Sequence, residues 1–321
     1  MRESQEAESL RTLVVRERRS EAEGVISLIL SSPDGAVLPP WQPGAHVDLL
    51  LGNGLERQYS LCGDPSDAAS WRIAVLREPD GRGGSAFVHS SLTVGSEVVV
   101  RGPRNHFELL PAARYVFIAG GIGITPILPM LDAAVAAGTQ WSLLYGGRSH
   151  ASMAFADDLV SRFGERVSLR PQDRHGLLDL PAVLGAPQDG TAVYCCGPDG
   201  LLDAVQEYCE ATGRPAPHIE RFRPKTDTDA DANHPFEVVL SRTGDVLHVP
   251  SDASILETVL STGKSVLYSC TEGTCGTCET EVLEGVPDHR DSVLTSAEQA
   301  AGDTMMICVS RAKSDRLVLD L

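Results

Sequence analysis

The chain has 321 residues, of which 42% are hydrophobic, and carries 44 Asp and Glu against 27 Lys and Arg, a formal net charge of −17. This length supports two or three domains with cores of their own. The negative balance argues against direct nucleic-acid binding, which needs cations to displace counterions from phosphates, and no apolar run is long enough to span a bilayer. The opening Met1-Arg-Glu-Ser-Gln-Glu is charged and leads into no apolar stretch, so a cytoplasmic location with reduced thiols is expected.

Up to about Leu110 the chain carries apolar-rich runs (Val47-Asp-Leu-Leu-Leu, Trp71-Arg-Ile-Ala-Val-Leu, Glu97-Val-Val-Val-Arg) separated by Gly and Pro turns. That pattern predicts an antiparallel sheet or small barrel. From Tyr115 the pattern changes: Tyr115-Val-Phe-Ile-Ala reads as a buried strand entering Gly120-Gly-Ile-Gly-Ile-Thr-Pro126, followed by an Ala- and Leu-rich helix. Trp141-Ser-Leu-Leu-Tyr and Thr191-Ala-Val-Tyr-Cys are further buried strands, and Leu201 to Cys209 is an amphipathic helix. Strands alternating with helices predict a doubly wound α/β domain. Pro224-Lys-Thr-Asp-Thr-Asp-Ala-Asp-Ala-Asn233 lacks large apolar residues and reads as an exposed tether. Beyond it, Phe236 to Val249 predicts a β-hairpin and Ile255-Leu-Glu-Thr-Val-Leu a short helix. From Asn233 to Leu321 there are 14 Asp and Glu against 6 Lys and Arg, a field that could steer a basic protein partner, although a solvated face is the readier account.

Cys270, Cys275, Cys278 and Cys308 follow the C-x4-C-x2-C…C spacing of a plant-type [2Fe–2S] site. Two irons need four converging thiolates, and a tight loop aims three sulfurs inward. Gly273 and Gly276 allow positive φ and let backbone N–H groups approach those sulfurs. A structural zinc site would show two C-x2-C knuckles, and only Cys275 and Cys278 form one. Elsewhere, Gly81-Arg82-Gly83-Gly84-Ser85 offers consecutive N–H groups, a cation and a hydroxyl, the makings of a phosphate nest. A flexible glycine turn is its plain alternative. Gly120, Gly121 and Gly123, with Ile124, Thr125 and Pro126, connect a buried strand to a helix, where a dinucleotide pyrophosphate can sit on the helix N-terminus. Cys196-Gly197-Pro198 ends a later strand, the place where open α/β sheets bind ligands.

These motifs together, with Arg57-Gln58-Tyr59-Ser60, resemble the phthalate dioxygenase reductase and vanillate O-demethylase reductase family over nearly the whole length. The resemblance implies an antiparallel β-barrel flavin domain (1–110), a doubly wound α/β nicotinamide domain (111–223), a linker (224–234) and an α+β plant-type ferredoxin domain of β-grasp type (235–321). It implies FMN, NADH and a [2Fe–2S] cluster as cofactors. Arg57 would face the flavin phosphate, with Gln58 beside it, Tyr59 on the ring and Ser60 at N5. Arg82, Gly83, Gly84 and Ser85 would hold the phosphate, and the aromatic of Phe222 would cover the flavin from the nicotinamide side. Cys196 would stand beside nicotinamide C4 as a positioning contact. Arg148 and Arg174 could serve phosphates, whereas Asp173 follows the strand that should approach the ribose, and an acidic residue there favours NADH.

The implied reaction is hydride transfer from NADH to FMN, then single-electron transfer through the cluster to a separate acceptor. A Rieske-type oxygenase is the expected acceptor, with a cytochrome P450 as alternative. A non-catalytic ferredoxin-like redox adaptor is a rival of a different class, against which Arg57, Ser60, the glycine loop and Cys196 count. Cys195 and Cys209 read as small buried hydrophobes, and Cys62 as a residue near the flavin without a task.

Overall fold

In the computed structural model the described residues are 10–52, 54–79, 81–224 and 233–321. The chain divides into two compact units, Met1–Glu220 and Arg221–Leu321. Residues 225–232, most of the expected tether, lie outside the described residues.

The first unit opens with strands β1 (Leu10–Ala22), β2 (Val25–Ser31), β3 (Ala45–Leu50), β4 (Glu56–Ser60) and β5 (Trp71–Leu76), then helix α1 (Gly84–Ser91) and β6 (Glu97–Asn105). They form an antiparallel sheet in the order β4-β3-β6-β1-β2-β5. A bridge between Leu61 and Ile73 joins its two ends, closing the barrel. Alternation explains the closure: Leu28 and Leu30, Val47 and Leu49, Ile73 and Val75, and Val98 and Val100 point every second side chain into one core, to which α1 adds Val88.

Next come β7 (Arg114–Gly120), α2 (Ile124–Ala136), β8 (Gln140–Gly147), α3 (Ala156–Phe163), β9 (Val167–Pro171), α4 (Gln172–His175), α5 (Leu180–Leu184), β10 (Thr191–Cys196), α6 (Asp199–Ala211) and β11 (His218–Glu220). The strands are parallel, in the order β11-β10-β7-β8-β9. Phe117 and Ala119 pack with α2 on one face, while Val116 and Ile118 pack with Leu202 and Val205 of α6 on the other. Both faces are covered, as the alternation of strands and helices predicts. Strand order reverses between β7 and β10, which makes the crevice at their C-terminal ends the expected ligand position.

The barrel and the α/β layer are less separate than the sequence pattern suggests. Val25, Cys62 and Ala74 of the barrel share a core with Ile124, Ile127 and Tyr145. The connecting segment is fastened as well: the Tyr194 hydroxyl donates to the Glu108 carbonyl (3.0 Å) and accepts from the Leu110 N–H (2.8 Å), and Tyr115 donates to the Leu110 carbonyl.

The second unit contains β12 (Phe236–Leu240), β13 (Asp245–Val249), α7 (Ile255–Ser261), β14 (Glu279–Glu284), β15 (Pro287–Asp288), α8 (Ser296–Ala301), β16 (Thr304–Met306), β17 (Arg311–Ala312) and β18 (Arg316–Leu319). Its main sheet runs β13-β12-β18-β14-β16, with β12 and β18 parallel and the other pairs antiparallel. Helix α7 starts at a Ser254/Glu257 capping box and buries Ile255, Leu256 and Val259 against the sheet residues Phe236, Val238 and Leu240. This is the expected α+β domain.

Buried Arg311 locks this unit together. Its guanidinium donates to the carbonyls of Ala253 (2.6 Å), Pro250 (2.9 Å) and His234 (3.1 Å) and stands 5.1 Å over the Phe236 ring. Among the described residues no helix is long and apolar enough to cross a membrane. Replacing Arg311 by Met leaves three carbonyls without their donor, a cost of about 3 kcal/mol for buried bonds to a charged group. Amide protection in β12 should fall by about two orders of magnitude, as native-state hydrogen exchange would show; unchanged protection would deny Arg311 this anchoring role.

Candidate functional site

At the crevice between β7 and β10 the two loops nearly touch. A Cβ on Gly123 would lie 2.2 Å from the Cys196 carbonyl oxygen, one on Gly120 2.6 Å from Pro198 Cδ, and one on Gly197 3.0 Å from Gly120 Cα. These glycines therefore serve loop-to-loop packing as much as any ligand. Gly121, with φ 56°, faces open space. The side chains of Ile124, Thr125 and Pro126 are buried in α2, and the Thr125 hydroxyl donates to the Ile122 carbonyl at 3.0 Å. What this loop leaves for a phosphate is therefore backbone N–H at Gly121–Gly123. Arg148 and Asp173 come together at the C-terminal ends of β8 and β9, where the Asp173 N–H donates to the Arg148 carbonyl (3.1 Å) and both side chains are exposed.

Cys196 is fully buried, and parallel pairing of β10 with β11 sets it beside Glu220 with Sγ 3.9 Å from Oε2. Burial, then the nearby carboxyl, pushes the Cys196 thiol well up. It stays a thiol, consistent with a positioning contact and not a nucleophile. Burial also pushes the Glu220 carboxyl up to about 8, against a smaller downward pull from Cys196. Sequence gives Glu220 no role of its own; its only signal is an acidic residue ending the strand that follows Cys196 and preceding Arg221 and Phe222.

The barrel brings the two flavin segments together across 25 residues of sequence. Arg57 lies so close to Gly84 that a Cβ there would be 2.5 Å from Arg57 Cγ, and the Arg57 guanidinium donates to the Arg82 carbonyl (3.2 Å) and the Glu56 carbonyl (2.7 Å). Gly83 (φ 82°) starts α1 in the left-handed region that glycine tolerates. The Ser85 hydroxyl accepts the Glu78 N–H at 3.0 Å, so it is already engaged in shaping the turn. Tyr59 packs against the barrel core, and burial raises its hydroxyl pKa. Gln58 turns to the other face, donating to Asp48 at 3.3 Å within a buried Asp48–Arg101–Arg104 group; its side chain is occupied there and not beside Arg57. The Ser60 hydroxyl is buried at 4% exposure with no hydrogen-bond partner among the described residues. Such an orphan fits a flavin edge that would accept its proton.

In the second unit the four predicted thiols converge. Cys270 contacts Cys275 and Cys308, and Cys308 contacts Cys278. Four thiols linked by this run of contacts suit a two-iron cluster. Gly273 (φ 68°) and Gly276 (φ 72°) take positive φ as expected, and so does Thr271 (φ 58°). Backbone N–H groups of Glu272 (3.3 Å) and Thr274 (3.4 Å) point at Cys270 Sγ, and that of Thr277 (3.5 Å) at Cys275 Sγ. These donors favour thiolate and hence metal. Contact with Cys270, then burial, raises the Cys275 thiol, while at Cys308 a downward pull from Cys270 is outweighed by Cys278 and burial, which carry it up to about 12. Ligation must release those protons. Phe222, 43% exposed, belongs to this second unit.

The family described as a 2Fe-2S iron-sulfur cluster binding domain matches residues 238–313, and that described as an oxidoreductase NAD-binding domain matches residues 117–175. The phenoxybenzoate dioxygenase subunit beta of Ectopseudomonas oleovorans is 42% identical over 94% of both chains. The solved structure of phthalate dioxygenase reductase, described as modular for electron transfer from pyridine nucleotides to [2Fe–2S], is 38% identical over 98% of both chains with a TM-score of 0.71. The chain belongs to the phthalate dioxygenase reductase and vanillate O-demethylase reductase family. It is accordingly an oxidoreductase whose cofactors are NADH, FMN and a [2Fe–2S] cluster. Part of an intact type IV self-sufficient cytochrome P450 monooxygenase is also similar: 44% identity, TM-score 0.91, 97% of this chain but only 41% of that one.

A titration follows from Glu220. Its carboxyl keeps a proton in the folded chain up to about 8 but loses it near 4.5 when unfolded, so stability should decline as pH rises between those values and then level off. Glu220→Gln should remove that decline, measured as the melting temperature at intervals from pH 5 to pH 9. A variant retaining the wild-type slope would assign the decline to another group.

Proposed function

We propose that this chain is the reductase component that passes electrons from NADH through FMN and [2Fe–2S] to a separate Rieske-type oxygenase. The observation that carries the reading is the coexistence, on one chain, of a buried orphan hydroxyl at Ser60, an enclosed Cys196–Glu220 pair at the switch point, and four converging thiols. A degenerate adaptor would have no reason to keep the first two.

When bound, the flavin accepts a hydride and gives up electrons singly. Arg57 and Arg82, with the N–H groups at the start of α1, would hold its phosphate; Tyr59 would pack on its ring and Ser60 would donate to N5. The N–H groups of Gly121–Gly123 would meet the dinucleotide pyrophosphate, and Arg148 and Asp173 the ribose. Cys196 and Glu220 would set the wall against which nicotinamide is oriented. Cys270 with Cys275, and Cys278 with Cys308, would ligate one iron each. Exposed Glu279 and Glu281 on β14 suit a basic docking patch on the acceptor. A reducing compartment, the cytoplasm, suits the eight free thiols.

A cytochrome P450 acceptor is the second reading, favoured by the likeness to part of a self-sufficient cytochrome P450 monooxygenase. Anaerobic NADH should bleach both flavin and cluster absorption; iron without flavin would sink the reductase reading. Adding a purified Rieske oxygenase or a P450 to the reduced chain then separates the acceptors by which one is reoxidising it.

Two variants probe the assignments. Cys275→Ser should lose the cluster spectrum and most cytochrome c reduction while NADH still reduces the flavin, since hydride transfer lies upstream; an intact spectrum would remove Cys275 from the ligand set. Replacing Arg57 and Arg82 together should weaken FMN binding by about tenfold or more per contact, since charge-assisted bonds contribute roughly 1.5–3 kcal/mol, with flavin lost on dialysis. Wild-type retention would place the phosphate elsewhere.

A further inference from the structure

The cluster loop packs on a segment that the four cysteines do not explain. Asp291 is fully buried. Its Oδ2 accepts the N–H groups of Val293 (3.0 Å) and Leu294 (2.7 Å), and the Ser310 hydroxyl points at its Oδ1 with a long contact of 3.5 Å. His289 Nδ1 lies 3.9 Å from Oδ1. The carboxylate thus folds residues 291–294 into a turn, and that turn touches both halves of the thiol set. On one side the Ser292 N–H donates to the Gly273 carbonyl (2.8 Å), in the middle of the three-cysteine loop. There is no slack at that contact, since a Cβ on Gly273 would stand 3.0 Å from Asp291 Cα and 2.6 Å from Val309 Cγ2. On the other side the Arg290 N–H donates to the Ser310 hydroxyl (3.2 Å), two residues beyond Cys308.

We infer that Asp291 is a positioning residue for the [2Fe–2S] cluster: its turn holds the loop of Cys270, Cys275 and Cys278 against the turn that carries Cys308, and its buried negative charge keeps the cluster harder to reduce. The directional contacts it accepts come from N–H and O–H donors, as an acceptor-only carboxylate requires. A negative charge in a low-dielectric interior opposes the arrival of an electron nearby. The assignment rests on the four-thiol reading above. Failure of that reading shows as an unchanged spectrum in Cys275→Ser, whereas failure of this one shows with the cluster spectrum intact.

Asp291→Asn keeps an oxygen for the Val293 and Leu294 N–H groups and removes only the charge. In the full chain, potentiometric titration followed by visible absorption and by the EPR signal of the reduced cluster should show wild-type iron and sulfide content. The ratio of reduced to oxidised cluster at fixed poise should rise about tenfold, an upward shift of about 59 mV for one electron. Asp291→Ala removes the turn as well, and iron release to ferrozine should quicken at least tenfold. A wild-type midpoint in Asp291→Asn overturns the inference, as does wild-type iron release in Asp291→Ala; should the alanine variant not fold, the asparagine midpoint decides alone.

Discussion

A Cβ on Gly123 would sit 2.2 Å from the carbonyl oxygen of Cys196, one on Gly84 2.5 Å from the Arg57 side chain, and one on Gly273 2.6 Å from Val309. Each of the three regions assigned to a cofactor is built where two remote stretches of chain pass so closely that only glycine fits. The reason is chemical. Pyrophosphate, flavin phosphate and sulfide-bridged iron are all met by backbone N–H groups, and backbone can be concentrated at one point only if side chains are left out. The fold supplies the rest, with a switch point between β7 and β10, a barrel whose β4 lies beside α1, and a β-grasp layer that carries Cys308 back to the loop.

Motifs local in sequence were legible for that same reason. The positive φ at Gly273 and Gly276, the strand-to-helix loop at Gly120–Gly123 and the cysteine spacing are short-range properties that residue type dictates. What sequence did not reveal depends on register. Glu220 meets Cys196 because β10 and β11 pair in parallel with those residues opposed, and no spacing rule connects positions on separate strands. The resemblance carries Gln58 along with Arg57 as one motif, while the period-two alternation of the strand turns the Gln58 side chain to Asp48 on the opposite face. The shared core of Val25, Cys62 and Ala74 with Ile124 and Ile127 was hidden too. Apolar periodicity shows that a residue is buried, not which layer buries it.

The buried ionisable groups are arranged so that charge waits for the cofactors. Cys196 is held as a thiol and the Glu220 carboxyl is pushed up to about 8, while Cys275 is raised by Cys270 and burial, and Cys308 by Cys278 and burial against a downward pull from Cys270, although N–H groups already face Cys270 and Cys275. In the second unit metal ions would tip that balance, since the donors reward thiolate but do not by themselves offset desolvation.

The tether gains meaning from where its two ends are fixed. The first unit ends at Glu220, the partner of Cys196. At the far end Asn233 accepts from Arg290 (2.8 Å) and His234 from Arg311. Arg290 flanks the turn on Gly273, and Arg311 stands three residues past Cys308. The first unit thus ends beside the proposed hydride position, and the start of β12 is held next to the turn of the fourth thiol. The rigidity of each cofactor region rests on its own neighbouring contacts: β10–β11 pairing in the first unit, and the two arginines with the Asp291 turn in the second.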